Sequence, residues 1–283
     1  MADDDRARDR LGPFGVWRHA GAVTPELAQE LERLGYGTVW LGGSPGADLR
    51  IVDDLLDATT TLTVATGIVN VWDSDAHEVA RSYARIEGRS PGRFLLGVGV
   101  GHREATAEYR SPFETLAGYV DTLLADGVPA QDLVLAALGP RVLRLAAERT
   151  AGAHPYLVTP EHTRSARELV GAGAVLAPEQ RVVLEPDPER ARAIGRPTVA
   201  RPYLGLSNYT SNLRRLGWSD ADLAGEGSDA LIDALVAHGT TAQVAARLGE
   251  HWSAGADHVA VQLLTAPDAD LTAQYAELAA ALR

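Results

Sequence analysis

Short apolar runs alternate with amphipathic stretches along the whole chain. Eight runs are predicted strands, and most of them are continuously apolar, as in strands that are covered on both faces. A stretch with helical spacing follows each run. The runs are "FGVW" (14–17), "TVWL" (38–41), "LTVATGI" (62–68), "FLLGVGV" (94–100), "LVLAAL" (133–138), "AHPYLV" (153–158), "RVVLE" (181–185) and "HVAVQLL" (258–264).

Eight strand–helix repeats predict an α/β fold in which a parallel sheet closes into a (β/α)8 TIM barrel. The length of 283 residues is typical of such a barrel. A doubly wound dinucleotide fold is disfavoured because "GVGVGH" (97–102) has His102 where the fingerprint requires its last glycine.

No linker divides the chain, so residues 1–283 are predicted to form one domain. The region 186–257 shows no clean strand pattern and predicts a helical insertion between the seventh and eighth strands. Residues 1–10, "MADDDRARDR", are densely charged and are predicted to be disordered.

Composition narrows the class of protein. Hydrophobic residues make up 46% of the chain and charged residues 23%, which predicts an ordinary buried core. No signal-peptide core or run of about 20 apolar residues is present, so we expect a cytoplasmic protein without a membrane partner. The net charge of −12 argues against a nucleic-acid partner, and the absence of cysteine excludes disulfides and thiol nucleophiles.

In a barrel, function lies at the carboxyl ends of the strands. The predicted rim is rich in glycine and aromatic residues, which suit a flat or anionic ligand. Its histidines do not have a metal-ligand spacing, so no metal is predicted. A substrate pocket is predicted at the rim, with tryptophans that could alternatively pack in the barrel. The residues of this predicted substrate pocket are Trp17, Trp40, Gly43, Ser44 and Trp72.

Five segments together resemble the bacterial-luciferase-like superfamily, in its branch of oxidoreductases that use the deazaflavin coenzyme F420. The resemblance covers nearly the whole chain. The segments are "LERLGYGTVWLGG", "ATGIVNVW", "GRFLLGVGVGHRE", "LAALGPRVLRLAAERTAGAHPYLVTPEHT" and "YLGLSNYTSNLRRLGW".

The resemblance implies that a non-prolyl cis peptide bond follows the third strand, at Gly67–Ile68 or one residue later. Ile68 and Val69 would then support the cofactor ring, and Asn70 would offer its amide to the ring edge. The other cofactor-binding positions that match the family are Gly67, Gly99, Val100, Gly101, His102, Ala136, Ala137, Gly139, His154, Pro155, Tyr156 and Thr159.

The resemblance also has departures. Sugar-phosphate dehydrogenases of this branch carry an Asp-His pair after the second strand, where this chain has Gly43 and Ser44. We therefore do not transfer their substrate. The candidate acid–base residue is His102, followed by Tyr156 and Glu104, because hydride transfer needs a proton donor or acceptor near the reacting carbon.

Three functions remain open. The first is an F420-dependent oxidoreductase acting on a small organic substrate. The second is a monooxygenase that uses flavin mononucleotide (FMN) and is supplied by a separate flavin reductase. The third is a non-catalytic barrel that binds a flavin or acts as a scaffold. The resemblance also implies a homodimer.

Overall fold

The computed structural model describes residues 6–101 and 111–283, and the strands in these ranges form one parallel sheet. The strands are β1 (Phe14–His19), β2 (Thr38–Gly42), β3 (Thr63–Thr66), β4 (Val69–Asn70), β5 (Phe94–Gly99), β6 (Leu133–Leu135), β7 (Gly152–Ala153), β8 (Val175–Leu176), β9 (Glu179–Val183), β10 (Val236–His238) and β11 (Val259–Leu263).

The order in which the strands pair closes the sheet. It runs β10-β9-β11-β1-β2-β3-β5-β6-β7-β8, with β4 paired to β5. Both β8 and β9 belong to the run 175–183, and the amides of Ala177 and Glu179 continue the pairing to β7 by donating to the carbonyls of Ala153 (2.9 Å) and Pro155 (2.8 Å). This run therefore joins β7 on one edge to β11 on the other, which confirms the predicted barrel.

Helices cover the outside of the sheet, and most of them begin at a clear capping signal. For example, the side chain of Thr24 accepts a hydrogen bond from the amide of Leu27 (3.2 Å), and a proline follows Thr24 at the first helical position. The helices are α1 (Arg6–Leu11), α2 (Pro25–Leu34), α3 (Arg50–Ala58), α4 (Ala76–Arg89), α5 (Pro112–Ala125), α6 (Pro140–Arg149), α7 (Pro160–Val170), α8 (Pro188–Ala200), α9 (Ser207–Arg215), α10 (Asp220–Leu223), α11 (Asp229–Leu235), α12 (Thr241–Ser253) and α13 (Leu271–Ala281).

All eight predicted strand segments overlap a strand, but the boundaries differ. The seventh strand begins at Val175, before the predicted position, and the sixth is limited to Gly152–Ala153. The expectation of no strand in 186–257 is wrong, because β10 lies there. Three residues are too few to show a period in the sequence, and their position is set by pairing with β9.

The predicted disorder of residues 1–10 is wrong for residues 6–10, which belong to α1. This helix buries Ala7 and Leu11 in the cluster of side chains that fills the barrel interior. A guanidinium nitrogen of Arg10 also lies 2.6 Å from a carboxylate oxygen of Asp132. Residues 1–5 lie outside the described ranges.

Two further hydrophobic clusters position the candidate site. The larger one lies between the sheet and its covering helices. The other, which we call the insertion core, is formed mainly by α8, α9 and α11 and packs on Leu157 and Val183 of the barrel. No helix within the described ranges is long and apolar enough to cross a membrane.

Candidate active site

A cavity of about 710 Å³ opens at the carboxyl ends of the strands, where the barrel rim meets the insertion. Loops after β1, β2, β3, β5, β6 and β7 contribute to it, as do the start of α5 and the segment from 203 to 209. Its lining includes Trp17, His19, Gly43, Ser44, Gly67, Ile68, Asn70, Val100, Gly101, Phe113, Ala136, Ala137, Gly139, Arg141, His154, Tyr156, Tyr203, Asn208 and Tyr209.

The floor of the cavity is the segment that follows β3. The peptide bond between Gly67 and Ile68 is cis, at the first of the two predicted positions. The indole N–H of Trp17 donates to the carbonyl oxygen of Gly67 (3.2 Å). A Cβ atom on residue 67 would lie 2.9 Å from Trp17 Nε1 and 3.2 Å from His154 Nε2, so glycine keeps the backbone in contact with both rings.

Of the residues after the cis bond, Val69 packs in the barrel and Asn70 lines the cavity. Val69 is fully buried and pairs with Val98, so its side chain does not reach the cavity. Asn70 lines the cavity, but its amide nitrogen donates to Asp73 (2.5 Å) and its amide oxygen accepts from the amide of Trp72 (3.2 Å). The side chain of Asn70 thus also stabilises its own turn.

His154 presents one nitrogen toward the cavity floor. Its Nδ1–H donates to the carbonyl of Ala177 (2.7 Å), so Nε2 carries the lone pair. Nε2 is buried and has no partner among the described residues. Burial lowers the pKa of His154 to about 4, and the ring is therefore a neutral hydrogen-bond acceptor at pH 7. A ligand N–H or O–H at the floor would satisfy it.

Trp40 stacks on His154 inside the barrel and does not line the cavity. Its indole stacks on the imidazole with the ring centres 4.1 Å apart and the planes at 9°, and it is 0% exposed. Its N–H donates to Nε2 of His258 (3.0 Å). The prediction that Trp40 forms part of the substrate pocket is therefore wrong, because the strand places this side chain inside the barrel.

Tyr156 faces the cavity with its ring and turns its hydroxyl toward buried partners. The hydroxyl donates to Gln262 (2.8 Å) and accepts from the guanidinium of Arg181 (3.0 Å). Burial raises the pKa of Tyr156 well above its usual range. Because its proton is used within the protein, the hydroxyl is a poor acid at neutral pH, which does not favour the predicted catalytic role.

Arg181 is a buried cation behind this wall. Its guanidinium lies 5.3 Å from the ring centre of Tyr156 and 4.8 Å from that of Tyr203, and it also donates to the carbonyl of Thr198 (2.6 Å). Glu179 lies beside it at 3.9 Å. Burial raises the pKa of Glu179 to about 7, despite the opposing effect of Arg181 and of the hydrogen bond from the Leu157 amide.

Aromatic rings form a continuous wall from β1 to the insertion. Ring centres are separated by 5.0 Å between Trp17 and Tyr156, 5.5 Å between Tyr156 and Tyr203, and 4.8 Å between Tyr203 and Tyr209. Tyr203 and Tyr209 come from the insertion, where Tyr209 and Leu213 are buried in the insertion core. The insertion therefore supplies half of this wall.

A positive region also lines the cavity. Gly139 is the N-cap of α6. Pro140 has no N–H, and the amides of Val142 and Leu143 donate to the carbonyl of Gly139 (3.1 and 3.0 Å), so Arg141 contributes the remaining amide of the first turn. Arg141, in the first turn, stacks on Phe113 with the guanidinium carbon 3.6 Å from the ring centre. A helix N-terminus with an arginine favours a phosphate or carboxylate.

The N-terminus of α7, predicted to lie near a phosphate, faces a different pocket. Thr159 lines that pocket together with Glu161, Asp233 and Arg247. Two carboxylates at this place do not favour an anionic group. His162 is buried and its Nε2 bonds to the carbonyl of Leu138 (3.0 Å), so it connects α7 to the β6 loop.

The remaining predicted residues lie next to the cavity. Gly99 supports Ile68, since a Cβ on residue 99 would lie 3.1 Å from the Ile68 side chain. Pro155 is buried and contributes its carbonyl to the sheet. Trp72 lines an adjoining pocket of about 290 Å³ that shares Val100 with the main cavity. His102 and Glu104 lie outside the described residues.

His19 lines the cavity and is absent from the sequence prediction. Its ring lies against Gly43, where a Cβ atom would be 2.2 Å from Nε2. Its position two residues after the first predicted strand is a signal that could have identified it. Arg141, Tyr203, Asn208 and Tyr209 lie in segments that carry the resemblance, but their place in the cavity, like that of Phe113, is set by tertiary packing. Among the described residues, no group of three or more potential ligands could hold a metal ion.

Comparison with known proteins agrees with this geometry. Residues 14–125 match the sequence model of the family described as luciferase-like monooxygenase. An F420-dependent secondary alcohol dehydrogenase, solved with an F420–acetone adduct, is 14% identical, with a TM-score of 0.74 over 96% of this chain and 99% of that chain. Comparison with curated proteins finds no match.

Two further structures have the same fold. The F420-dependent tetrahydromethanopterin reductase of Methanopyrus kandleri is 15% identical, with a TM-score of 0.65 over 94% of this chain and 96% of that one. The oxygenating constituent of 3,6-diketocamphane monooxygenase from Pseudomonas putida, solved with FMN, is 12% identical, with a TM-score of 0.64 over 95% and 96%. The predicted resemblance is therefore confirmed: residues 14–125 match the luciferase-like monooxygenase family, and the described part of the chain has the fold of F420-dependent oxidoreductases and luciferase-like monooxygenases.

Proposed function

We propose that this protein is an oxidoreductase that uses coenzyme F420 for hydride transfer to or from a small organic substrate. The observation that carries the proposal is one cavity of about 710 Å³ whose lining combines an aromatic wall with a helix N-terminus that carries an arginine. A flat ring system with an anionic side chain matches this combination.

The residues of the cavity fit such a cofactor. Gly67 and Ile68 present backbone and an aliphatic side chain toward the cavity, without bulk that would obstruct a ring. The unpartnered Nε2 of His154 is available to accept a hydrogen bond from a ring N–H or a ribityl hydroxyl. The guanidinium and the backbone amide of Arg141, at the N-terminus of α6, would hold the phosphate.

When bound, the deazaflavin would supply hydride exchange at its C5 carbon. The protein contributes orientation and exclusion of water. Trp17, Tyr156, Tyr203 and Tyr209 offer an apolar wall for a neutral substrate next to the ring. The described part of the cavity also contains the exposed imidazole of His19, a side-chain type suited to proton exchange during hydride transfer.

A second candidate is an FMN-dependent monooxygenase, supplied with reduced flavin by a separate reductase. The family match and the structural likeness to an FMN-bound monooxygenase support it. The same cavity would accept FMN, because FMN shares the flat tricyclic ring, the ribityl chain and the phosphate. The two candidates differ in the reaction with oxygen and in the preferred cofactor.

The deciding experiment is a fluorescence titration of the protein with F420 and, separately, with oxidised and reduced FMN. We expect F420 to bind with micromolar or tighter affinity, and Arg141→Ala to weaken binding by about tenfold, the size of one charge-assisted hydrogen bond. The matched control is Arg144→Ala, on the same helix but outside the cavity lining.

A second control uses the deazaflavin riboside that lacks the phosphate. Its affinity should be the same for the wild type and for Arg141→Ala, because the group that Arg141 binds is missing. Preference for FMN with oxygen consumption would support the second candidate. Binding of neither cofactor would support a scaffold and overturn the proposal.

A further inference from the structure

His19 lies in line with the cavity floor across three neighbouring strands. It ends β1 and pairs with Gly42 of β2. On the other side of β2, the amide of Gly67 donates to the carbonyl of Leu41 (2.8 Å). Because neighbouring strands are about 4.8 Å apart, the backbone of His19 is roughly 10 Å from that of Gly67, with the cavity above the row.

The ring of His19 occupies the space that a side chain at position 43 would need. A Cβ atom on Gly43 would lie 2.2 Å from Nε2 and 2.4 Å from Cε1 of the imidazole. The φ angle of Gly43 is +76°, which also favours glycine. A side chain at position 43 and the imidazole of His19 therefore cannot occupy this space together. In this chain the imidazole occupies it.

Two other ionisable side chains that line the cavity, His154 and Tyr156, are committed elsewhere. The Nδ1 atom of His154 is fixed to a backbone carbonyl, and its ring is buried. The hydroxyl of Tyr156 lies between Arg181 and Gln262. His19, in contrast, is exposed, and its ring nitrogens make no hydrogen bond within residues 6–101 and 111–283.

We propose that His19 is the catalytic acid–base residue that exchanges a proton with the substrate. This inference rests on the proposed F420-dependent function. In the oxidation of a carbinol, the C–H bond breaks as hydride passes to the oxidised deazaflavin. The O–H bond breaks at the same time, its electron pair forms the carbonyl, and the proton goes to a ring nitrogen of His19. Reduction of a carbonyl reverses each of these changes.

The test begins with F420 binding by the wild type and by His19→Ala, which we expect to agree within about threefold. Protein loaded with F420 is then mixed with 2-propanol, cyclohexanol or 1-phenylethanol, and F420 reduction is followed by absorbance. His19→Ala should be at least 100-fold slower, within the range of general acid–base catalysis. Imidazole added to the buffer should restore at least a tenfold gain in His19→Ala, but none in the bulkier His19→Gln.

Three further variants keep the test decisive. Gly43→Ala should reproduce the slow reaction by displacing the ring, whereas Gly46→Ala, in the same loop with only one atom at 4.0 Å, should not. His77→Ala changes an exposed histidine paired with Asp126 and is expected to have no effect. A readout independent of turnover is the NMR spectrum of ¹⁵N-histidine protein, in which the His19 signal should shift when cyclohexanol is added to the F420-bound form.

The outcomes separate the two proposals. Failure of the wild type to bind F420 overturns the proposed function, and this inference with it. Binding of F420 without turnover of any carbinol overturns the role of His19 alone. The role is also overturned if His19→Ala reacts at the wild-type rate, or if imidazole gives no rescue. It is overturned equally if His102→Ala abolishes the reaction while His19→Ala keeps it.

Discussion

The indole N–H of Trp17 donates a hydrogen bond to the carbonyl oxygen of Gly67 (3.2 Å) and so connects the end of β1 to the loop after β3. The strand between them, β2, takes no part in this bond. The indole crosses β2 at Gly42, which has no side chain to obstruct it. A Cβ atom on Gly42 would lie 2.0 Å from the six-membered ring of Trp17. One side chain thus fixes the floor and one end of the aromatic wall.

Replacement of Trp17 by Phe tests this connection. Phenylalanine keeps an aromatic ring but lacks the donor, so the partly buried carbonyl of Gly67 loses its partner. We expect the free energy of unfolding in urea to fall by about 1 kcal/mol and the F420 affinity to fall about fivefold. The control is Trp252→Phe, in α12, where the indole packs on Phe14 away from the cavity. Equal losses of F420 affinity in both variants would contradict the prediction.

Replacement of Gly42 by Ala tests the contact from the other side. The added methyl group requires the indole of Trp17 to move, because 2.0 Å is far below any van der Waals contact. We expect a shifted near-ultraviolet circular dichroism signal and at least tenfold weaker F420 binding. Gly46→Ala serves as the matched control, and unchanged spectra for both variants would show that the indole does not rest on β2.

The cation behind the wall is expected to be essential for stability. Arg181→Met would leave the hydroxyl of Tyr156 and the carbonyl of Thr198 without their donor, and Glu179 buried without its partner. Breaking such a buried pair costs about 3–5 kcal/mol, which urea denaturation would measure.

Glu179→Gln provides the comparison for that experiment. Glutamine retains an oxygen that can accept from the amide of Leu157, and Arg181 keeps its bonds to Tyr156 and Thr198. We expect a loss of less than about 2 kcal/mol, in the range of a single hydrogen bond. A larger loss in Glu179→Gln than in Arg181→Met would contradict the assignment of Arg181 as the central group.

Stability is expected to fall as the pH is lowered from about 6.5 to 4. Burial lowers the pKa of His154 and His258 to about 4 and that of His251 to about 3. An unfolded chain protonates its histidines near pH 6.5, so in this window it binds more protons than the folded protein. Each imidazole contributes a slope of up to about 1.4 kcal/mol per pH unit.

Glu179 acts in the opposite direction between pH 4.5 and 7, because its raised pKa lets the folded protein keep a proton that the unfolded chain loses. Burial also lowers the pKa of His162, so one group opposes four and the net slope keeps its sign. Urea denaturation at pH 7 and pH 5 measures it. His258→Asn should reduce the slope by about a third, whereas the exposed His77→Asn should leave it unchanged; a slope that His258→Asn does not alter would count against this account.

Much of the fold follows from the sequence because the barrel strands are long enough to show a pattern. The continuous apolar runs identified all eight barrel strands, and the resemblance identified Gly67–Ile68 as the first candidate for the cis bond. Periodicity gives the element but not the direction of each side chain in a barrel that is apolar on both faces. For this reason the apolar pattern predicts Trp40 in the substrate pocket, whereas the side chain packs inside the barrel.

The side of the cavity formed by the insertion could not be predicted in this way. Tyr203 and Tyr209 belong to a region without a strand pattern, and they reach Tyr156 only because α8, α9 and α11 pack together. The contact between His19 and Gly43 is also tertiary, since β1 and β2 are separated in the chain by a helix.

The insertion core has a consequence for how this enzyme scaffold can diversify. Because α8, α9 and α11 bury most of their apolar side chains in the insertion core, we expect the loop that carries Tyr203 to accept new residues with repacking limited to its barrel contacts, Tyr156 and Arg181. The insertion side of the aromatic wall and the floor of the cavity thus belong to different hydrophobic clusters of the molecule. Exchange of residues 186–238 as a block between relatives is expected to transfer substrate choice while leaving the cofactor floor intact.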